Sequence, residues 1–352
     1  MRYTVGLGRY FGIPVRVHAT FPIVLLLYAA LAGRTGSWRD ALEGAALVLA
    51  VFGCVILHEL GHCVQIRRYG IRVRDITLFP IGGVARAESL PESPRQEIAV
   101  AVAGPVVNFV IAGLLFGGLA LAGSPPHGEG FLVDLAWVNL VLGVFNLIPA
   151  YPMDGGRILR GALAMRMPYL AATRRARDVG QLVALVFVVT AFVDTAFIML
   201  ALIAVFVFIG GMLEERMISM RVRLAGKCVG DVVDLLAPVF AAGDRVETIA
   251  THMGGEAAAA YALAAESGSL AGVVVTSDVL RAVRDGRYAE PLGAIARYDF
   301  PVAEAGAEAT RVYKYLHDAR KPFAAIVDGD RFVGLFHADE TLRDFPRGVT
   351  IP

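Results

Sequence analysis

The sequence predicts a polytopic α-helical membrane protein of about six spans with a C-terminal soluble α/β domain. Of its 352 residues, 56% are hydrophobic and only 18% are charged, and the mean hydropathy is +0.60. Several apolar runs approach or exceed the length of about 20 residues that a helix needs to cross a bilayer. After Lys227 the composition changes to short apolar strands alternating with helical segments, which is typical of a small α/β domain.

The charge and the cysteine content exclude two further classes of protein. The 33 basic and 32 acidic residues leave a net charge of +1, so no overall positive field favours nucleic acid as a partner. The three cysteines are too few for a disulfide framework, which fits a soluble part in a reducing compartment. No cleavable signal pattern precedes the first apolar run, which we therefore interpret as a retained helix.

The apolar runs define the predicted spans. They cover residues 19–32, 41–64, 98–122, 131–150 and 179–213. As a single helix the last run would be about 52 Å long, well beyond the ~30 Å hydrocarbon core of a bilayer. We therefore predict a hairpin of two spans that turns at Asp194, the only charged residue in that run.

The distribution of basic residues predicts the orientation of the chain in the cell membrane. Clusters of arginine follow the second, fourth and last predicted spans, whereas the opposite side has only Arg34 and Arg39. By the positive-inside rule both termini are cytoplasmic. We predict a membrane domain over residues 1–213, a linker over 214–228 and a soluble domain over 229–347.

Two weak repeats are evident in the soluble domain. Each contains a helix, an apolar strand with a glycine and then an acidic residue that opens the next helix. The helical patterns cover residues 245–253, 256–266 and 310–318, and the apolar strands cover 271–276, 323–328 and 332–336.

A candidate metal site lies in the second predicted span. His58 and His62 are one helical turn apart on one face, so both imidazoles can bind one divalent ion. Glu59 lies beside them and can take a proton from a water on the metal. An ionisable group at membrane depth costs ~2.5–3.5 kcal/mol even on a lenient scale, so three of them within one turn indicate a shared function. A polar patch at a helix interface is the alternative.

Two histidines and a water leave one zinc ligand missing, and Asp154 is the best candidate. It follows the fourth predicted span on the side where the second span ends, and Pro149 and Pro152 can turn the chain inward there. An ordinary loop aspartate is the alternative. Cys54, one turn before His58, is a rival ligand, although a small buried thiol at a helix contact explains it as well.

These residues resemble the site-2 protease family of intramembrane zinc metalloproteases. His58-Glu59-Leu60-Gly61-His62 is paired with a later Asn-x-x-Pro-x-x-x-x-Asp-Gly that runs from Asn146 to Gly155, and the run 103–109 is similar to a third family element. The similarity covers about residues 1–220. It implies that His58, His62 and Asp154 bind Zn²⁺ and that Glu59 is the catalytic acid and base.

The resemblance also implies a function in regulated intramembrane proteolysis. The expected reaction is cleavage of a transmembrane protein near the cytoplasmic face, and membrane-tethered transcription regulators are the expected substrates. Asn139 and Asn146 lie seven residues apart on one helix face and could bind an unwound substrate backbone, with interhelical hydrogen bonding as the alternative. A hairpin of strand 73–79 and a strand after Gly82 and Gly83 could offer an edge to the substrate, or remain a surface hairpin.

The C-terminal domain resembles a tandem CBS pair, a type of regulatory domain that often binds ATP or another adenine nucleotide. Asp278 occupies the position of the ribose-contacting acid, whereas Val275 stands where a hydroxyl is expected, next to Thr276. In the second repeat His337 and Glu340 occupy these positions. A structural module that forms a homodimer is the alternative to a nucleotide site.

Two other functions remain open on the sequence alone. One is a membrane zinc-binding sensor without protease activity, but a structural zinc is closed by four protein ligands, and the pattern offers three with Glu59 left free. The other is a metal-dependent hydrolase of lipids or small peptides.

Overall fold

The computed structural model describes two compact units, residues 1–216 and 217–352. The residues described are 4–20, 23, 38–79, 82–87, 93–128, 130–193, 197–233, 239–253, 260–265, 269–319, 321–329 and 331–337. Each unit is treated separately below. The predicted first span, 19–32, falls almost entirely outside the described residues.

The described residues of the first unit form six helices. They are α1 (Trp38–Arg68), α2 (Pro94–Leu121), α3 (Phe131–Asn146), α4 (Asp154–Ala164), α5 (Tyr169–Val193) and α6 (Ile198–Leu224). Four of these, namely α1, α2, α5 and α6, are long and apolar enough to cross a membrane, and α3 is a shorter apolar helix. The multi-span membrane architecture predicted from the sequence is therefore present.

The predicted hairpin in 179–213 consists of two separate helices, α5 and α6. Both are longer than the apolar run suggests, because their charged ends continue the helix and pair with each other. Arg174 donates to Glu215 at 3.1 Å, and Arg177 also binds Glu215. The turn at Asp194 lies outside the described residues.

The predicted fourth span is shorter than expected. Helix α3 has 16 residues and ends at Asn146, because the backbone cannot continue helically through Pro149 and Pro152. The irregular segment 147–153 that follows is nevertheless partly buried, with Ala150 and Tyr151 almost inaccessible to solvent. Irregular backbone at this depth is tolerated because it is enclosed in protein.

A four-stranded sheet packs against α1. Its strands are β1 (Thr4–Tyr10), β2 (Ile13–His18), β3 (Val73–Phe79) and β4 (Gly82–Ala87), in the order β1-β2-β3-β4. The predicted hairpin is present as the antiparallel pair β3–β4, whereas the strands β1 and β2 were not predicted. Alternate apolar residues of β2 and β3, such as Val15 and Ile76, pack against Leu60 and Cys63 of α1.

The second unit contains two sheets of identical topology. Its elements are β5 (Val239–Ala241), α7 (Val246–His252), β6 (Ala260–Ala264), β7 (Leu270–Val275), α8 (Thr276–Arg284), β8 (Val302–Glu304), α9 (Ala309–Ala319), β9 (Phe323–Asp328) and β10 (Arg331–His337). In each sheet the first strand is parallel to the second, and the second is antiparallel to the third. The weak sequence repeats are thus two copies of one αβ unit.

One predicted helix in this unit is wrong. The alanine-rich segment 256–266 contains the strand β6, which pairs with both β5 and β7. Alanine favours helices on its own, but Ala260, Tyr261, Ala262 and Leu263 are all buried. Burial between two strands therefore overrides local propensity here.

The predicted linker 214–228 takes part in the second unit. Helix α6 continues to Leu224, and Met220 and Leu224 are buried in a core cluster with Val229. The chain divides into its two compact units between Arg216 and Met217, within the predicted linker.

The close approach of α1 and α2 predicts a difference between two glycines of α1. A Cβ at Gly61 would lie 2.7 Å from the carbonyl oxygen of Ala103, whereas a Cβ at Gly53 would have no neighbour within 4 Å. We expect Gly61→Ala to lower the unfolding free energy in detergent by about 1–3 kcal/mol through overpacking. Gly53→Ala is the matched control and should cause no loss, since alanine favours a helix over glycine by about 0.5–1 kcal/mol. Equal stability of the two variants in thermal unfolding would contradict the close helix contact.

Candidate metal centre

Two imidazoles from α1 meet in the interior of the first unit. His58 and His62 are four residues apart on the helix, and both are buried. Their Nε2 atoms lie 3.1 Å from each other. The pair therefore has the geometry that the sequence spacing predicts.

Asp154, the first residue of α4, closes the group. Its Oδ2 atom lies 3.2 Å from the Nε2 atom of His58 and 3.2 Å from that of His62. The two glycines that follow allow the backbone at Asp154 to pack closely against the preceding segment. A Cβ at Gly155 would overlap the carbonyl oxygen of Ile148, and a Cβ at Gly156 would lie 2.8 Å from the backbone of Ala150.

A chain of hydrogen bonds fixes the orientation of His58. The side-chain amide of Asn139 donates from Nδ2 to the backbone carbonyl of Leu135 at 2.8 Å. Its Oδ1 atom therefore accepts from Asn108 Nδ2 at 3.0 Å, and the Oδ1 atom of Asn108 is left facing His58 Nδ1 at 2.5 Å. Because an amide oxygen only accepts, His58 carries its proton on Nδ1.

His62 also donates from Nδ1, here through one hydrogen bond to a backbone carbonyl. Its Nδ1 atom lies 2.7 Å from the carbonyl oxygen of Val100 on α2, and a carbonyl oxygen only accepts. Both imidazoles thus donate from Nδ1 and turn Nε2 towards the carboxylate of Asp154. Partners of this kind orient metal-binding histidines in proteins.

The convergence of these atoms fits a zinc ion. Three potential ligand atoms lie 3.1–3.2 Å from one another, and a cation bound among them would be attracted by all three. Ligands bound tetrahedrally at about 2.0–2.1 Å are separated by roughly 3.3 Å, close to the observed spacing. The carboxylate of Glu59 belongs to a potential metal-binding group with His58 and His62, whose ligand atoms lie within 4.8 Å of one another.

Two glycines allow these side chains to pack directly against neighbouring backbone. A Cβ at Gly104 of α2 would lie 2.6 Å from His58 Nε2, and it would also overlap His62. A Cβ at Gly83 of β4 would lie 2.5 Å from Cγ of Glu59. Of the two glycines predicted to contact substrate, Gly83 therefore lies against Glu59, whereas Gly82 starts β4 opposite Phe79.

The other sequence candidates have different surroundings. Asn139 is completely buried, and its Nδ2 also contacts the Sγ atom of Cys54 at 3.3 Å. These contacts agree with the alternative given for Asn139, hydrogen bonding between helices. Cys54, the rival ligand, is thus engaged with this amide. Asn146 is the half-buried last residue of α3, and its substrate role stays a prediction.

Arg160 of α4 is a residue whose place the sequence did not reveal. It was counted among the cytoplasmic basic residues, yet it is 1% exposed. Its Nε donates to Glu97 at 2.6 Å and its Nη1 to Glu214 at 2.7 Å. Burial alone would lower the pKa of Arg160, but these carboxylates outweigh burial and raise it. The sequence signal was two acidic residues next to apolar runs, Glu97 in the first turn of α2 and Glu214 within α6, which need a partner.

Asp278 lies in the second unit, in the first turn of α8. Its carboxylate accepts from Arg297 Nε at 2.8 Å and lies 3.6 Å from Arg281. In the second repeat His337 is a buried residue of β10, and Glu340 falls outside the described residues.

Comparison with known proteins identifies the first unit. Residues 46–132 and 126–191 match the family model described as Peptidase family M50. A zinc metalloprotease of Methanocaldococcus jannaschii is 35% identical over 221 residues, 63% of this chain and 63% of that protein, so the matched part is less than two thirds of its length. A protein named putative zinc metalloprotease Rip3 of Mycobacterium tuberculosis is 32% identical over 308 residues, 81% of this chain and 76% of that protein.

Two solved structures are similar to separate parts of the chain. The site-2 protease from Methanocaldococcus jannaschii is 36% identical and covers 60% of this chain and 95% of its own, with a TM-score of 0.46. The CBS domain pair of protein MJ0100 is 15% identical and covers 33% of this chain and 94% of its own, with a TM-score of 0.30. Because the mycobacterial alignment extends over most of the sequence and the family model includes the histidine pair and Asp154, the chain belongs to peptidase family M50, the site-2 protease family of zinc metalloproteases.

Proposed function

We propose that this protein is an intramembrane zinc metalloendopeptidase in which His58, His62 and Asp154 bind the metal and Glu59 is the catalytic acid and base. The single observation that carries the proposal is the meeting of the Asp154 carboxylate with both imidazole Nε2 atoms at 3.2 Å. Glu59 is left free of this triangle but remains beside it. A structural zinc needs four protein ligands, so three ligands and a free carboxylate favour catalysis over a sensor.

Different residues of the chain have different roles in the proposed peptide hydrolysis. When bound, zinc supplies a Lewis acid that polarises a carbonyl and acidifies water. Glu59 takes the proton of the attacking water and later delivers it to the leaving amine. Asn108 and the Val100 carbonyl hold the imidazoles in the tautomer that binds a metal. The absence of a Cβ at Gly83 and Gly104 lets these side chains pack directly against the backbones of β4 and α2.

The substrate we propose is a transmembrane protein that is cut near the cytoplasmic face. The site lies six to ten residues before the end of α1, and clusters of basic residues follow α1 and α4, which supports cytoplasmic termini by the positive-inside rule. An unwound segment beside the metal would recover backbone hydrogen bonds from β4, an edge strand of the sheet, at Gly82 and Gly83, with Asn146 as a further contact. A membrane-tethered transcription regulator is the substrate class that follows from the family resemblance.

The second unit is proposed to regulate the protease by binding ATP or another adenine nucleotide and by forming a homodimer. Its duplicated topology and the position of Asp278, directly after β7 at the start of α8, support a ligand site in the first repeat. Arg297 holds this carboxylate at the surface. The ion pair has to open or rearrange before a ribose can bind there.

The role of Glu59 predicts a separation of catalysis from metal binding. We expect Glu59→Gln to reduce cleavage of a co-expressed membrane substrate below detection, because the amide cannot accept the proton of water. Zinc content measured by atomic absorption should stay at one ion per chain. Unchanged cleavage would remove the protease function and favour a zinc sensor, and a lipid or small peptide as the only product by mass spectrometry would identify a different hydrolase.

The role of Asp154 predicts a loss of zinc affinity. We expect Asp154→Asn to raise the zinc dissociation constant by at least about tenfold, measured by competition with a chromogenic chelator, because the neutral amide is a weaker donor than the carboxylate. Asp134→Asn, in the first turn of α3, is the control and should leave the constant unchanged. Parent-like affinity of Asp154→Asn would contradict the assignment of the third ligand.

The proposed nucleotide site predicts a ligand effect on stability. We expect millimolar ATP or AMP to raise the melting temperature of the purified protein, since a ligand that binds only the folded state stabilises it. Asp278→Asn should abolish the shift, whereas Asp285→Asn, an aspartate just after α8, should keep it. No shift with the parent protein would leave the second unit as a structural or dimerising module.

A further inference from the structure

Helix α6 contacts the segment that leads into Asp154. A Cβ at Gly210 of α6 would lie 2.6 Å from Cδ and 3.1 Å from the nitrogen of Pro152. The proline ring is rigid and stands two residues before Asp154. Any side chain on this face of α6 would therefore displace the backbone that positions the carboxylate.

One turn further along, α6 contacts the helix that follows Asp154. Glu214 is four residues after Gly210 and accepts from Nη1 of Arg160 on α4 at 2.7 Å. The same guanidinium binds Glu97 of α2 and lies over the ring of Tyr169 at 5.1 Å. The side chains of Arg160 and Glu97 are buried, and that of Glu214 is only 13% exposed.

The two contacts lie on either side of Asp154 in the sequence. Pro152 fixes the chain just before it, and Arg160 fixes α4 less than two turns after it. The carboxylate itself has contacts with the two imidazoles, which belong to a different helix. The position of Asp154 relative to α1 therefore depends on where α6 places these two anchors.

We propose that Gly210 and Glu214 make α6 a positioning element for the metal centre, holding Asp154 at ligand distance from His58 and His62. This inference rests on the proposed function, because it assumes that Asp154 binds the metal. It extends that function because α6, which supplies none of the three proposed ligands, would help to set the affinity for the metal. Arg160 is the positioning residue on α4 through which Glu214 acts.

The neighbouring residues of α6 point elsewhere and provide matched controls. A Cβ at Gly211 would meet only the flexible Cγ atom of Arg177 of α5, at 3.3 Å. Glu215 pairs with Arg174 and Arg177 of α5. The pairs 210/211 and 214/215 thus carry the same residue type at adjacent positions, and one member of each pair faces the segment around Asp154.

The test uses the full-length protein in detergent and Zn²⁺ as the probe. We expect Gly210→Ala and Glu214→Gln each to raise the zinc dissociation constant roughly tenfold by chelator competition, whereas Gly211→Ala and Glu215→Gln stay near the parent value. The visible absorption of the Co²⁺-substituted protein should change in the first two variants, since it reports ligand geometry. Glu214→Gln is nearly isosteric and decides the question if Gly210→Ala does not fold.

Two measurements separate the possible failures. Equal zinc affinity within both pairs would overturn the inference. So would a lower melting temperature of the zinc-free Gly210→Ala and Glu214→Gln variants if their zinc affinity and Co²⁺ spectrum stay as in the parent, because the contacts would then serve stability alone. Asp154→Asn is measured alongside them. If it too leaves zinc affinity unchanged, the assignment of the ligand is wrong, and with it the proposed metal centre.

Discussion

The meeting of three lone-pair donors in an apolar interior is the constraint on which the first unit depends. Two imidazole Nε2 atoms and one carboxylate oxygen lie 3.1–3.2 Å apart, close to the spacing of ligand atoms around one tetrahedral zinc ion. Bringing them together requires backbone segments to approach more closely than side chains allow. Gly104, Gly155 and Gly156 meet this requirement, because a Cβ at each would overlap or crowd its neighbours. The glycines of the motif are thus as necessary to the site as its ligands.

Buried polar networks hold this arrangement on both sides. The chain from Leu135 through Asn139 and Asn108 to His58 gives each side-chain amide oxygen and nitrogen in it a hydrogen-bond partner. On the other side Arg160 lies between Glu97 and Glu214. Removing one member of a buried ion pair typically costs about 3–5 kcal/mol, because the other charge stays behind unpaired. Both networks therefore favour a single arrangement of α1, α2, α3, α4 and α6 over alternatives with similar apolar packing.

The sequence predicted the features that depend on local spacing and missed those that depend on distant partners. The face shared by His58 and His62 follows from helix geometry alone, and the membrane side on which the second and fourth predicted spans end pointed to Asp154. By contrast, the partners of Arg160 are 63 and 54 residues away, so it was counted as an ordinary cytoplasmic charge. For Asn139 the sequence left substrate binding and interhelical hydrogen bonding both open, because its amide partner on α2 could not be seen. The alanine-rich segment 256–266 was predicted as a helix because propensity does not register the two flanking strands.

The short α3 follows from where Asp154 has to lie. The histidines are six to ten residues from the end of α1, which is about 9–15 Å along the helix axis. A fourth span of about 20 residues would carry the following segment past this depth and place the carboxylate beyond reach of the imidazoles. Helix α3 stops after 16 residues, about 24 Å, and the prolines then keep the chain irregular until α4 begins at Asp154. The short length of α3 is therefore a condition for a metal centre inside the protein. The irregular segment 147–153 that follows α3 packs against α5 at Gly180 and against α6 at Gly210, and this protein contact replaces lipid around its backbone.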